Sequence, residues 1–319
     1  MRTYRRLALG ASILASLAIV GTAGGGAIVS AQEQPTIRVG SDGFYESQLM
    51  AEIYAQALEA EGFGVDRQLA IGARPARVEA FESGQIDLVP EYVGSGLGFY
   101  TVGAEVPGLA TIEVTGDGET NRANLQAALD IAGVEATVLA ITAGEDTNAA
   151  VVRPDTAEQF GLTTISDLAA VADQVSFGLP PECEVNALCR GALEDGYGIA
   201  WPPAQLELLP PCGAEMAGAL EGNAIDVAWL CSTQPAIAQN GWVVLDDDLD
   251  TQPAENLAPV VRNDLLEQVE GGADTLAAIL DPISAAITTE VLTELGVRVA
   301  VDQESIDDVA ADFLASLEE

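Results

Sequence analysis

Strand-like and helix-like segments alternate along this chain, and the alternation predicts an α/β fold of two mainly parallel sheets flanked by helices. Two further observations divide the fold into two lobes around a cleft. The alternation restarts after a Gly-Glu-Asp turn at residues 144–146. Beyond an acidic, Pro-containing segment at 246–253 it yields one more strand and then only helices. A helical tail returning to the first set places a hinge in two crossings, near residues 143–148 and 246–254. The expected boundaries are 32–145 plus 252–319 for lobe 1 and 146–251 for lobe 2, with 1–31 ahead of both.

In the first set, residues 36–41 read as a strand and 46–61 as a helix with Leu49, Met50, Ile53 and Ala57 on one face. Residues 65–71 form a strand, 75–83 a helix, and 86–92 a strand ending in Pro-Glu-Tyr. A glycine-spaced turn (Gly94, Ser95, Gly96) follows. It brings Tyr92 and several backbone N–H groups to the carboxyl end of a buried strand, where open α/β sheets place their ligands. The glycine-rich loop 102–120 is expected to cover one lobe's edge, ahead of a helix over 121–131 and a strand over 136–142.

The second set has strands at 149–152, 175–178, 206–209, 225–230 and 243–245, with helices over 156–160, 165–172 and 214–221. Residues 258–262 are the returning strand, and 275–279, 289–295 and 305–317 read as helices. Trp229, Trp242, Tyr54 and Tyr197 sit in apolar settings that suit core packing, while Trp201, between Ala200 and Pro202, suits a loop anchor. Arg74 and Arg77, at a helix start, suit structural ion pairs.

The N-terminus opens with Arg2, Arg5 and Arg6, continues as an uncharged apolar run over 7–20, and ends in small residues closing Val29-Ser30-Ala31. That is the layout of an export signal cleaved before Gln32. The alternative is an uncleaved anchor, because residues 7–31 carry no charge and are long enough to span a bilayer. Either way the mature domains are expected outside the cytoplasm, secreted or tethered.

Charge and missing residue types exclude much chemistry. All 12 basic residues are Arg, against 50 acids, and the formal charge is −38; without residues 1–31 it becomes −41. Such a surface repels nucleic acid, suits salty surroundings and can steer a cationic ligand. With no Lys there is no P-loop lysine or Schiff base, and with no His there is no Ser-His-Asp triad or imidazole metal ligand. A G-x-S-x-G elbow is also absent. The chain is therefore expected to bind rather than catalyse, with no cofactor and no metal.

Four cysteines in an exported chain favour disulfides. Cys183 and Cys189 share one loop and pair most naturally with each other. Cys212 and Cys231 follow two strands, and would meet at one sheet edge facing the cleft if those strands are neighbours. Neither spacing suits zinc.

Residues 40–97, GSDGFYESQLMAEIYAQALEAEGFGVDRQLAIGARPARVEAFESGQIDLVPEYVGSGL, resemble the glycine betaine/choline-type substrate-binding proteins of ABC importers. The resemblance continues, in order, through 145–169, FGLPPEC (177–183), 224–248 and ENLAPVVR (255–262). It implies a two-lobed, type II periplasmic-binding-protein fold that closes on a small quaternary amine and delivers it, as a monomer, to a membrane permease. It also implies an aromatic cage holding the quaternary ammonium by cation–π contact.

Carried over position by position, the scaffold matches better than the pocket. Tyr92 matches a cage tyrosine and Ser95 a ligand-contacting threonine. Asp42 stands where relatives often carry Lys, and Asn186 where many carry Arg. Asn148, with Asp146 beside it, Cys231, just ahead of Thr233, and Glu255 stand at positions often aromatic. Phe44 and Tyr45 could supply replacement rings. Losing two cations while placing Asp42, Asp146 and Glu255 near the cleft disfavours a ligand carboxylate. The expected solute is net-cationic, choline-like or another amine, in preference to glycine betaine, with another small amine or osmolyte as the alternative. A sensory module or an enzyme on the same scaffold are the rival readings.

Overall fold

Two five-stranded sheets organise the chain, and the order of strands in each explains where the cleft must lie. The computed structural model describes residues 34–200 and 203–318. The export-signal reading of residues 1–31 and the anchor reading of Trp201 fall outside them.

In chain order the first set is β1 (Thr36–Gly40), α1 (Tyr45–Ala60), β2 (Gly64–Gln68), α2 (Arg74–Glu82), β3 (Leu88–Tyr92), α3 (Val93–Thr101), α4 (Gly118–Ala132) and β4 (Ala136–Val138). The second is β5 (Asn148–Val152), α5 (Pro154–Phe160), α6 (Ile165–Ala169), β6 (Phe177–Leu179), β7 (Leu206–Leu208), α7 (Ala214–Glu221), β8 (Val227–Cys231), α8 (Pro235–Asn240) and β9 (Val243–Val244). The returning segment is β10 (Leu257–Arg262), α9 (Asn263–Leu266), α10 (Ala273–Ala286), α11 (Thr289–Ala300) and α12 (Ile306–Ser316).

The sheet orders are β2-β1-β3-β10-β4 and β7-β6-β8-β5-β9. In each, one strand runs against the other four: β10 in the first and β5 in the second. Both reversed strands are the first to follow a crossing. The chain leaves one sheet and enters the next from the cleft side, so it must run down the new sheet in the opposite sense.

Local chemistry sets the element ends. Asp117 caps α4 by accepting from the Thr120 N–H, and Gly133 closes it at φ 77°. Thr164 and Asp167 form a reciprocal capping box on α6. The loop before α4 packs Leu109 with Ile112 and Val114 onto α3 and α4. The expected turn at Gly94–Gly96 is instead the start of α3. Its glycines serve close packing: a Cβ on Gly94 would sit 2.6 Å from the Ala254 carbonyl, and one on Gly96 2.7 Å from the Glu91 carboxyl.

Lobe 1's core joins α1 to β1, β3 and the tail, with Leu49, Ile53, Tyr54, Leu276, Leu292 and Val309 all fully buried. Tyr54 keeps its hydroxyl satisfied by Ser284 at 2.9 Å. Trp229 and Tyr197 pack in one core cluster of lobe 2 and Trp242 in the other, as their settings suggested.

The two crossings lie side by side. Glu145 bridges Asn256 in antiparallel fashion, and the Asn256 amide donates to the carbonyls of Thr142 and Gly144, both at 3.1 Å. Both disulfides form as paired in the sequence reading, Cys183–Cys189 and Cys212–Cys231. The route to the second differs, because β6 separates β7 from β8. Cys212 lies four residues beyond the end of β7, and the Leu209–Pro211 segment carries it past β6 to the end of β8.

Candidate functional site

Four chain segments converge between the sheets: the start of α1, the end of β3, the first crossing, and the residues after β8. At the end of β1 the Asp42 N–H donates to the Ser47 hydroxyl at 3.0 Å, turning the backbone into α1. The N-cap position of α1 is Phe44, which makes no side-chain cap. Its ring lies 6.0 Å from that of Tyr92, tilted by 33°.

Glu46, in the first turn of α1, is the centre of the arrangement and is only 2% exposed. Tyr92 donates its hydroxyl to Glu46 Oε1 at 2.6 Å, and Thr233 donates its hydroxyl to Oε2 at 2.7 Å. Asp146, in the first crossing, accepts from the Thr233 N–H at 3.0 Å and the Ser232 hydroxyl at 3.2 Å. The Glu46 and Asp146 carboxyl groups are themselves hydrogen-bonded. Burial, and then the Asp146 charge, push Glu46 well above the usual carboxylate range, and burial raises Asp146 as well. Two buried carboxyl groups that both accept from Thr233 are costly to ionise together, which favours the protonated form of Glu46. Among the described residues no Arg forms an ion pair with either one.

Cys231 ends β8 opposite Asn148 on β5. The sulfurs of Cys212 and Cys231 and the Asp146 carboxylate lie within 4.8 Å of one another. The disulfide ties up both sulfurs, so the trio does not offer thiolates to a metal. Tyr45 hydrogen-bonds Thr233 and lies over Gly296 of α11, where a Cβ would meet its hydroxyl at 3.1 Å.

A second polar cluster sits behind β3. Arg77 is buried between Asp42, at 3.2 Å, and Glu91, at 2.6 Å. Arg74 reaches Glu91 at 3.1 Å and the Ser95 hydroxyl at 2.6 Å. Burial opposes the Glu91 charge, but Arg74 and Arg77 outweigh it and hold Glu91 below its usual value. Asp42 is raised, by burial first, with Arg77 acting against the rise. The Ser95 N–H donates to Glu255 Oε2 at 3.0 Å, while Glu255 Oε1 is buried without a hydrogen-bond partner among the described residues. Burial pushes Glu255 up to about 8, despite the Ser95 N–H.

Of the residues singled out in the sequence, Phe44, Tyr45, Tyr92, Asp146, Cys231 and Thr233 come together at one place. Asn148 lies at its edge, with its amide 3.4 Å from Gln252 Oε1. Ser95 and Glu255 form the neighbouring corner. Asp42 needs correction as an unopposed acid in the cleft: its carboxylate is engaged by buried Arg77, which neutralises it. Asn186 belongs to the loop closed by Cys183 and Cys189, where its backbone bonds to Cys183, Cys189 and Arg190 are local. Arg74 and Arg77 make the structural pairs expected of them. Glu46 escaped the sequence reading because an acid in a helix's first turn is ordinary. The only local sign was its place directly after Phe44-Tyr45.

The family model described as the substrate binding domain of ABC-type glycine betaine transport system matches residues 35–316. A glycine-betaine-binding protein of Pseudomonas aeruginosa is 27% identical over 288 residues, covering 88% of this chain and 87% of that protein. The solved structure of apo YehZ from Escherichia coli aligns with a TM-score of 0.62 at 26% identity, covering 88% of this chain and 98% of YehZ. A glycine betaine/carnitine/choline ABC transporter structure shares the fold, with a TM-score of 0.69 at 20% identity over 88% of this chain and 98% of the other. With nearly the whole described chain matched, this protein belongs to the family of substrate-binding domains of ABC-type glycine betaine transport systems.

Proposed function

We propose that this chain is the extracytoplasmic solute-binding component of an ABC importer for quaternary ammonium compatible solutes, and that its solute is net-cationic, as choline is. The observation that carries the choice is the Glu46–Asp146 pair, buried beside Tyr92 with no arginine partner among the described residues. A site of that kind favours a positive head group, and the adjoining Phe44 and Tyr92 rings add cation–π attraction of about 0.5–2 kcal/mol per ring. A carboxylate on the solute would meet the Asp146 charge at close quarters.

In this reading the lobes, divided at 145/146 and 251/252, close over the solute, and the closed form is what a membrane permease recognises. The protein works as a monomer and catalyses nothing. Its basic, apolar and small-residue N-terminus supports export. Titration calorimetry with choline and glycine betaine tests the choice. Choline should bind at least about tenfold more tightly, a difference of about 1.4 kcal/mol. Tighter binding of betaine would overturn the cationic reading and point to Arg74 beside Ser95 as a carboxylate anchor.

A further inference from the structure

We propose that the hydrogen-bonded carboxyl groups of Glu46 and Asp146, with the hydroxyls of Tyr92 and Thr233, form a proton-operated latch that draws the two lobes together in the absence of solute. The inference rests on closure of the lobes as the binding motion, and not on which solute is bound.

The geometry of the contact is that of a latch. Glu46 and Tyr92 belong to lobe 1, Thr233 follows β8 of lobe 2, and Asp146 stands in the crossing between them. Thr233 donates through its hydroxyl to Glu46 and through its N–H to Asp146, so one residue of lobe 2 engages both acids. Tyr45 adds a bond to Thr233, and Pro235 packs within 3.4 Å of where a Gly296 Cβ would be, closing the same side.

The groups facing Glu46 are Tyr45 on its own helix, Tyr92 on β3, Asp146 in the crossing, and Thr233 after β8. Ser232 and the Cys212–Cys231 sulfurs lie behind Asp146. None of these is a cation. While one proton is shared, the two acids attract. Once it is lost, two carboxylates face each other in a buried space and repel.

The background against which such a proton can be seen is unusually quiet. The chain has no His and no Lys, and its four cysteines are all in disulfides. Outside this pair, burial also raises Asp42, which Arg77 opposes, and Glu255, which is pushed up to about 8.

The test is small-angle scattering of the solute-free protein from about pH 6 to about pH 9 at constant salt, for wild type, Glu46→Gln and Glu255→Gln. The latch predicts that the wild-type radius of gyration grows as the pH rises, with loss of about one proton more than Glu46→Gln loses in a parallel potentiometric titration. Glu46→Gln removes the titrating proton, and its amide can donate to Asp146 and accept from one of the two hydroxyls, so it should stay compact throughout. Glu255→Gln should expand as wild type does. A wild-type radius that does not change with pH would overturn the latch, as would equal expansion of Glu46→Gln, or loss of the response in Glu255→Gln. Should Glu46→Gln fail to fold, as judged by circular dichroism, Asp146→Asn takes its place with the same expectation.

Discussion

Thr233 donates its hydroxyl to Glu46 at 2.7 Å across 187 positions of sequence, and the bond joins the two lobes. It is fully buried and forms part of a network in which each hydroxyl serves a carboxyl oxygen. Thr233→Val keeps the shape of the side chain and removes the donor. The expected cost is about 1–3 kcal/mol of folding stability, because a buried acceptor loses its partner. Urea unfolding measures it, and Thr233→Ser should recover most of the loss.

Glu255 gives stability a pH dependence whose sign follows from its raised value. Folding favours the neutral form, so this contribution is fully present below the ordinary carboxyl value of about 4.3 and is lost as the pH rises through about 8. The melting temperature of the wild type should therefore fall between about pH 6 and about pH 9. Glu255→Gln should flatten that fall without abolishing it, because Glu46 contributes in the same direction. Calorimetric scans of both proteins across the range decide the matter.

Arg77 holds two buried acids at once. Replacing it with Met leaves Asp42 and Glu91 without that partner, and the expected loss is about 3–5 kcal/mol. The double variant Arg77→Met with Asp42→Asn should recover part of it, since one of the stranded charges is then gone. Chemical denaturation of the three proteins measures both effects.

Two glycines in helices should respond to alanine with opposite signs. A Cβ at Gly94 would press on the Ala254 carbonyl and on Pro253 at 2.9 Å, so Gly94→Ala should cost about 1–3 kcal/mol. Gly218, inside α7, has open space around it, and Gly218→Ala should stabilise by about 0.5–1 kcal/mol. Thermal unfolding of the pair gives the comparison.

The features legible in the sequence are those that a short window contains. The apolar spacing of α1, the buried strand ending at Tyr92 and the restart after residue 146 are all local patterns. The strand order β7-β6-β8 is not local, because neighbours in a sheet are chosen by the whole chain. Gly94 suggested a turn because the Ala254 carbonyl and Pro253 that crowd it come from a distant segment. Glu46 shows the limit most plainly. Its neighbours in sequence make it a helix-start acid, while its partners in the fold are 46, 100 and 187 positions away. Asp42 shows the converse, since its charge was visible but Arg77, which neutralises it, is brought there only by folding.

The paired crossings also decide which contacts survive when the molecule opens. Backbone and Asn256 amide bonds tie the two segments into a narrow ribbon, anchored to the tail where the Gly144 N–H donates to Ile287 and the Glu145 N–H to Thr289. A ribbon twists far more easily than it slides, so the closure proposed above would be a swing of lobe 2 about it. In such a swing Asp146, in the crossing, would keep its place beside Thr233, while Glu46 and Tyr92 would be carried away from Thr233. That motion would sort the cluster into a half that travels with lobe 2 and a half that is withdrawn with lobe 1.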